Sequence, residues 1–110
     1  MMKKMFLGLV FVLAVTAPVV AAASVVIDVR TPDEWRSGHV EGSVLIPHDR
    51  IAEDIGKVVP AKDTRIYLYC RSGRRTGIAA EAVKKAGYTN VVDLKTLQDA
   101  ARELKRPIVQ

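Results

Sequence analysis

Short β-branched runs alternate with helically spaced apolar residues along most of this chain, and that order constrains the fold more than any other feature. Val25-Val26-Ile27-Asp28-Val29 reads as a buried strand. Thr31-Pro32-Asp33-Glu34 follows with the signature of a helix start: Thr31 as cap, Pro32 in the first turn and Glu34 closing a capping box, with Gly38 as an early stop. Ser43–Ile46 is a second strand, ended by Pro47. Ile51, Ile55, Val58 and Val59 recur at helical spacing, with Asp49 available as cap and Pro60 as terminator. Ile66–Tyr69 is a third strand, and Cys70 is its last residue. Ile78, Ala79, Ala82, Val83 and Ala86 then form one apolar stripe, and Gly87 stops that helix. Val91-Val92 suggests a fourth strand, and Leu97, Ala100, Ala101 and Leu104 mark a last helix before Pro107. Strands that are apolar without clear alternation are covered on both faces. The expected fold is therefore α/β, a small parallel sheet of four or five short strands with helices on both faces.

Residues 1–23 differ from all that follows. Lys3 and Lys4 precede an apolar run from Met5 to Val15, and Ala21 and Ala23 stand at small-x-small positions. This is the layout of a cleavable secretory signal, and the run is shorter than the ~20 residues of a spanning helix. The expectation is a signal peptide over 1–23, a single domain over 24–110, export, and no membrane anchor after cleavage. Without Lys3 and Lys4, the 17 basic residues become 15 against 12 acidic ones, and the net charge falls from +5 to +3. That charge gives no reason to propose nucleic acid, since the chain lacks an arginine-rich tail and a run of stacking aromatics. No large exposed apolar face is evident, so a monomer is expected. The single cysteine excludes an internal disulfide and any multi-thiolate zinc site. His48 has no partner at ligand spacing, so no metal is expected.

Chemistry concentrates in Cys70-Arg71-Ser72-Gly73-Arg74-Arg75-Thr76-Gly77. A cysteine at the carboxyl end of a parallel strand lies where such sheets bind ligands. The loop after it leads into a helix, whose N-terminus and loop amides form an anion cradle. Gly73 permits the turn, Arg71, Arg74 and Arg75 add positive charge, and Ser72 and Thr76 add hydroxyls. Each feature favours thiolate over thiol, so the Cys70 pKa should be lowered. Arg74, near the middle of the loop, is expected to turn toward a bound anion, and Arg75 to be partly solvated. Asp28 and Arg30 end the first strand near this loop. They fit a supporting electrostatic role, or more simply a structural ion pair. His39 is read as a structural hydrogen-bonding residue, because a thiolate ionised by its cradle needs no base. Trp35 is a core or rim aromatic, and Tyr67 or Tyr69 is a candidate for the pocket wall.

With those residues in view, the chain resembles the rhodanese family of sulfurtransferases, and within it the small periplasmic single-domain members of the phage-shock type. The likeness runs through Ile27-Asp28-Val29-Arg30, Glu34, Gly38-His39-Val40-Glu41-Gly42-Ser43, Leu45-Ile46-Pro47 and Tyr69–Thr76. The resemblance implies a persulfide mechanism without cofactor: Cys70 takes the outer sulfur of thiosulfate and passes it to cyanide or a thiol acceptor. It also implies a periplasmic location. Lys95 and Thr96 stand where many members carry a Gly-Gly pair, so the backbone at the pocket rim is expected to differ. The rival chemistry is that of a phosphatase or arsenate reductase, whose loop would need arginine at position 76, where this chain has Thr76. A persulfide carrier or a non-catalytic binding module is the alternative from another class. A thiol redox sensor would call for a second, resolving cysteine.

Overall fold

The computed structural model describes residues 24–110; the expected signal peptide lies outside the described residues. In chain order the elements are β1 (Ser24–Asp28), α1 (Pro32–Ser37), β2 (His39–Val40), β3 (Val44–Leu45), α2 (Ile51–Val58), β4 (Arg65–Cys70), α3 (Arg74–Lys85), β5 (Val91–Thr96), α4 (Leu97–Leu104) and β6 (Ile108–Val109). The main sheet has four strands, ordered β3-β1-β4-β5, with every neighbouring pair parallel. It is the parallel α/β sheet that the alternation demands. The antiparallel pair β2–β6 is an addition that the sequence does not announce, since two-residue strands carry no readable period.

Both faces of the sheet are covered, as the unbroken apolar runs require. Successive residues of each strand point to opposite faces. Ile27, Ile66, Leu68 and Cys70 join Ile51, Ile55, Ala79 and Val83 in a large aliphatic core. Val26 and Tyr69 point the other way, toward Val40 and Ala100, with Tyr67, Leu97 and Leu104 packed around them. Each aliphatic side chain so buried contributes roughly 1.5–3 kcal/mol, so a domain this small depends on both cores.

Local signals hold for α1, where Thr31 and Glu34 form the expected capping box. They fail at α2. Its cap position is Arg50, without a side-chain cap bond, because the Pro47–Arg50 turn places Asp49 one residue too early. On α3 the inward residues are Thr76, Ala79, Ala80 and Val83. Ile78, expected on the buried stripe, is 54% exposed, since the inward stripe passes to one side of it. Gly87 follows the helix with φ +103°, the left-handed turn that ends it.

Candidate active site

Cys70 ends β4 on the face that carries α3, and its side chain is buried. Three residues later the chain has turned into the helix. Gly73 occupies the cap position at φ +90°, a conformation that costs a residue with a Cβ. The turn brings the Gly73 amide back onto Cys70, donating to Sγ at 2.9 Å. Thr76 is also buried, with Oγ1 3.8 Å from Sγ and donating to the Gly73 carbonyl at 2.8 Å. Burial acts to raise the thiol pKa. Hydrogen bonds from the amides of Thr76, Gly73 and Ser72, and from the Thr76 hydroxyl, outweigh it, and the pKa is lowered. A hydroxyl has one proton to give. With a thiol present, S–H faces Thr76 Oγ1. With a thiolate, the Thr76 proton can swing from the Gly73 carbonyl to sulfur.

The three arginines have different surroundings. Arg71 and Arg74 are exposed. Arg75 keeps 23% of its side chain exposed and makes two contacts with Glu34, Nη1 to Oε1 and Nη2 to Oε2, each 3.1 Å. The Arg75 guanidinium, with burial opposing and the Thr31 amide helping, holds the Glu34 carboxyl down at about 2. Ser72 is exposed, and Gly73 lies under the side chain of Lys95.

Asp28 and Arg30 meet each other. Arg30 Nη2 stands 2.7 Å from Asp28 Oδ2, and Nε reaches both carboxylate oxygens at 2.9 and 3.0 Å. Nη2 also donates to the Gly38 carbonyl at 2.5 Å, and both side chains are almost fully buried. An open cavity of about 270 Å³ lies beside this pair, lined by Arg30, Glu34, Ser37, Arg71, Leu97 and Gln98. It joins the end of β1, the start of α4 and the first loop residue after Cys70. The sequence offers Glu34 as a helix cap and as one residue of the family likeness, not as a partner of the loop. Its second partner, Arg75, is 41 residues away, and no local pattern signals such a contact. Leu97 is legible only as part of the apolar stripe of the last helix, and Ser37 and Gln98 carry no local signal.

The remaining candidates have structural partners. His39 stacks on Trp35 at 3.5 Å between ring centroids, with Nδ1 2.9 Å from the Trp35 carbonyl oxygen. Neither tyrosine lines the cavity. Tyr69 is buried on the far face, where its hydroxyl accepts from the Val40 amide at 3.0 Å. The Ser43 proton goes to the Val40 carbonyl, so the Tyr69 hydroxyl donates to Ser43 Oγ, 3.2 Å away. Burial pushes the Tyr69 pKa up to about 12, and it stays protonated. Beside Cys70, β5 spends three residues where β4 spends two, Leu68 facing Asp93 and Cys70 facing Thr96. Within that bulge Lys95 takes φ +71°, and Thr96 caps α4 by accepting from the Asp99 amide.

Comparison with known proteins agrees with this geometry. Residues 15–96 match the family model described as a rhodanese-like domain. The thiosulfate sulfurtransferase PspE of Escherichia coli (strain K12) is 38% identical over 101 residues, which are 92% of this chain and 94% of that protein. A putative mitochondrial thiosulfate sulfurtransferase of Schizosaccharomyces pombe is 35% identical over 80 residues, covering 63% of this chain and 56% of that one. Among solved structures, a rhodanese with anions from E. coli superposes with a TM-score of 0.74 at 36% identity, covering 80% of this chain and 99% of its own. A family match over most of the described residues and a relative aligned nearly end to end lead to one conclusion: this chain belongs to the rhodanese family of sulfurtransferases.

Proposed function

We propose that the chain is a thiosulfate sulfurtransferase in which Cys70 carries the sulfur. The observation that carries this reading is the Gly73 amide on Cys70 Sγ, in a loop whose charged side chains are all arginines. Donors fixed on sulfur favour the thiolate, which is the nucleophile. The Cys70 thiolate attacks the outer sulfur of thiosulfate. A new S–S bond forms at Sγ, the old S–S bond breaks, and sulfite leaves with the electron pair. The persulfide keeps one negative charge on its outer sulfur. Cyanide, or a thiolate acceptor, then attacks that sulfur, and Cys70 is regenerated as thiolate while thiocyanate, or the acceptor persulfide, departs.

In this reading Arg71, Ser72, Gly73, Arg74, Arg75 and Thr76 form the anion cradle. Asp28 and Arg30 support it from the end of β1. Because Cys70 is buried, a donor reaches its sulfur only when the loop after it opens. The cavity lined by Arg30 and Arg71 is the natural approach for an anion. The protein acts as an exported monomer, periplasmic in a double-membrane bacterium, on thiosulfate and a small thiophilic acceptor. Intact mass of the purified protein before and after thiosulfate tests the reaction. The expected result is a gain of one sulfur atom, absent in Cys70→Ser and removed by cyanide. An unchanged mass with thiosulfate in excess overturns it.

A further inference from the structure

Lys95 is one of two non-glycine residues at positive φ among the described residues, and it sits in the bulge where β5 slips register against β4. The other non-glycine residue at positive φ, Lys105, ends α4 in the usual left-handed cap. Lys95 ends no helix. It holds φ +71° with its amide tied to Asp93 Oδ1 at 2.9 Å. Strain of this kind clusters where function requires it.

What the strained conformation achieves is a position. A Cβ placed on Gly73 would stand 3.4 Å from the Lys95 Cβ and 3.8 Å from its Cδ. The lysine stem therefore runs across the turn whose amide donates to Cys70 Sγ. By bond lengths its ammonium stands no more than about 12 Å from that sulfur, close to one Debye length at moderate salt. Asp93 offsets part of the ammonium's charge, so what Lys95 decides is whether that carboxylate faces the Cys70 turn alone or balanced. The contact of the ammonium with Asp93 Oδ2 is 3.8 Å long on a side chain 67% exposed, which is a weak pair. Asp99 also feels the lysine, but that carboxylate is already engaged by Arg102 and the Thr96 cap.

We propose that Lys95 is a specificity-determining residue, a cation over the Cys70–Gly73 turn that favours anionic over neutral compounds at Cys70 and dianions over monoanions. The inference rests on Cys70 being the reacting group, as proposed above. At about 10 Å in water one unit charge changes the rate about twofold for a monoanion and about fourfold for a dianion.

The test uses two alkylating agents of similar size, iodoacetate and uncharged iodoacetamide. The chain has one cysteine, so the label reports Cys70 alone. Any opening of the loop enters both rates equally, and their ratio isolates charge. At low ionic strength, Lys95→Gln should lower the iodoacetate-to-iodoacetamide rate ratio about twofold, and Lys95→Glu about fourfold. Lys95→Arg should recover the ratio, and about 0.5 M salt should erase the differences. In parallel, kcat/KM for thiosulfate should fall about fourfold in Lys95→Gln, through KM and not kcat. Lys95→Gly, which relieves the strained φ, should unfold no earlier than the parent while showing the same lowered ratio. Equal ratios in the parent, Lys95→Gln and Lys95→Glu overturn the proposal. So does an equal loss with both reagents, which would mean that Lys95 acts through loop geometry. If the parent gains no sulfur from thiosulfate, the sulfurtransferase reading fails, while the alkylation ratio still decides the role of Lys95.

Discussion

β1 and β4 lie side by side in parallel register, Asp28 opposite Tyr69, and end at the same edge of the sheet. Each delivers a buried acidic group there, a carboxylate from Asp28 and a thiol from Cys70. Their partners differ in kind. Asp28 is answered by a side chain two residues away, in a guanidinium–carboxylate pair that uses both of its oxygens. Cys70 is answered by backbone amides and one hydroxyl, with its arginine neighbours turned to solvent or to Glu34. A carboxylate locked to its own counter-ion has little left to offer a ligand. A sulfur held by neutral donors has no counter-ion of its own to satisfy, and the exposed Arg71 and Arg74 remain to meet an anion. The contrast separates a charge used for architecture from a sulfur that, in the proposed function, is left for chemistry.

Exchanging the two roles should fail in opposite ways. Cys70→Ser should abolish sulfur transfer entirely while leaving the far-ultraviolet circular dichroism and the melting temperature nearly unchanged. Serine fills the site but is not ionised and forms no persulfide. Measurable residual turnover would show that the sulfur travels by another route. Asp28→Ala should do the reverse and act first on stability. It strands the Arg30 guanidinium in the interior, at a cost of about 3–5 kcal/mol. Urea unfolding would read this directly, and Asp28→Ala with Arg30→Met should recover part of the loss. A midpoint unmoved by Asp28→Ala would mean that the pair is not structural.

The next effect is smaller and tests the neutral donors. Thr76→Val removes the hydroxyl that can serve the thiolate. It should raise the Cys70 pKa and slow iodoacetamide alkylation near neutral pH by about tenfold, a hydrogen bond to a charged group being worth roughly 1.5 kcal/mol or more. Thr76→Ser should react at nearly the parent rate. Among the cations, Arg74→Ala should reduce kcat/KM for thiosulfate more than Arg75→Ala, by about two- to fivefold, because Glu34 already engages Arg75. Equal losses would mean that Arg75 leaves Glu34 when the donor binds.

The smallest effect is on acid stability. The Glu34 carboxyl is held at about 2 against an ordinary 4.5, first by Arg75. A depressed carboxyl stabilises the fold above its unfolded pKa, and the stability is lost as pH falls through the folded one. Its contribution is therefore complete above pH 4.5 and fades toward pH 2. Glu34→Gln should lower the melting temperature slightly at neutral pH, by an amount typical of pairs worth up to about 1 kcal/mol, and the two proteins should converge only as pH falls to about 2. A gap that stays constant across that range would assign the effect to the helix cap and not to the ion pair.

Much of this molecule is determined by residues close together in sequence. The capping box of α1 holds because Thr31 and Glu34 lie three residues apart, and a cap is a local bond. The parallel sheet follows from apolar runs separated by helices, since such runs need cover on both faces. The loop from Cys70 to Thr76 is legible for the same reason: cysteine, glycine and threonine bond to one another within one turn. Asp49 and Ile78 lie off their expected positions by a residue of turn geometry or helix rotation, which periodicity does not resolve.

Only the tertiary structure decided which charges meet. Arg75 with Glu34, the approach of Arg71 to Arg30 across a cavity, and Lys95 over Gly73 all join segments brought together by strand order. Composition listed the cations; the packing of β1, β4 and β5 chose their partners. The reason is physical: local structure depends on backbone geometry, which adjacent residues specify, whereas the pairing of long charged side chains depends on where the fold lets their tips arrive.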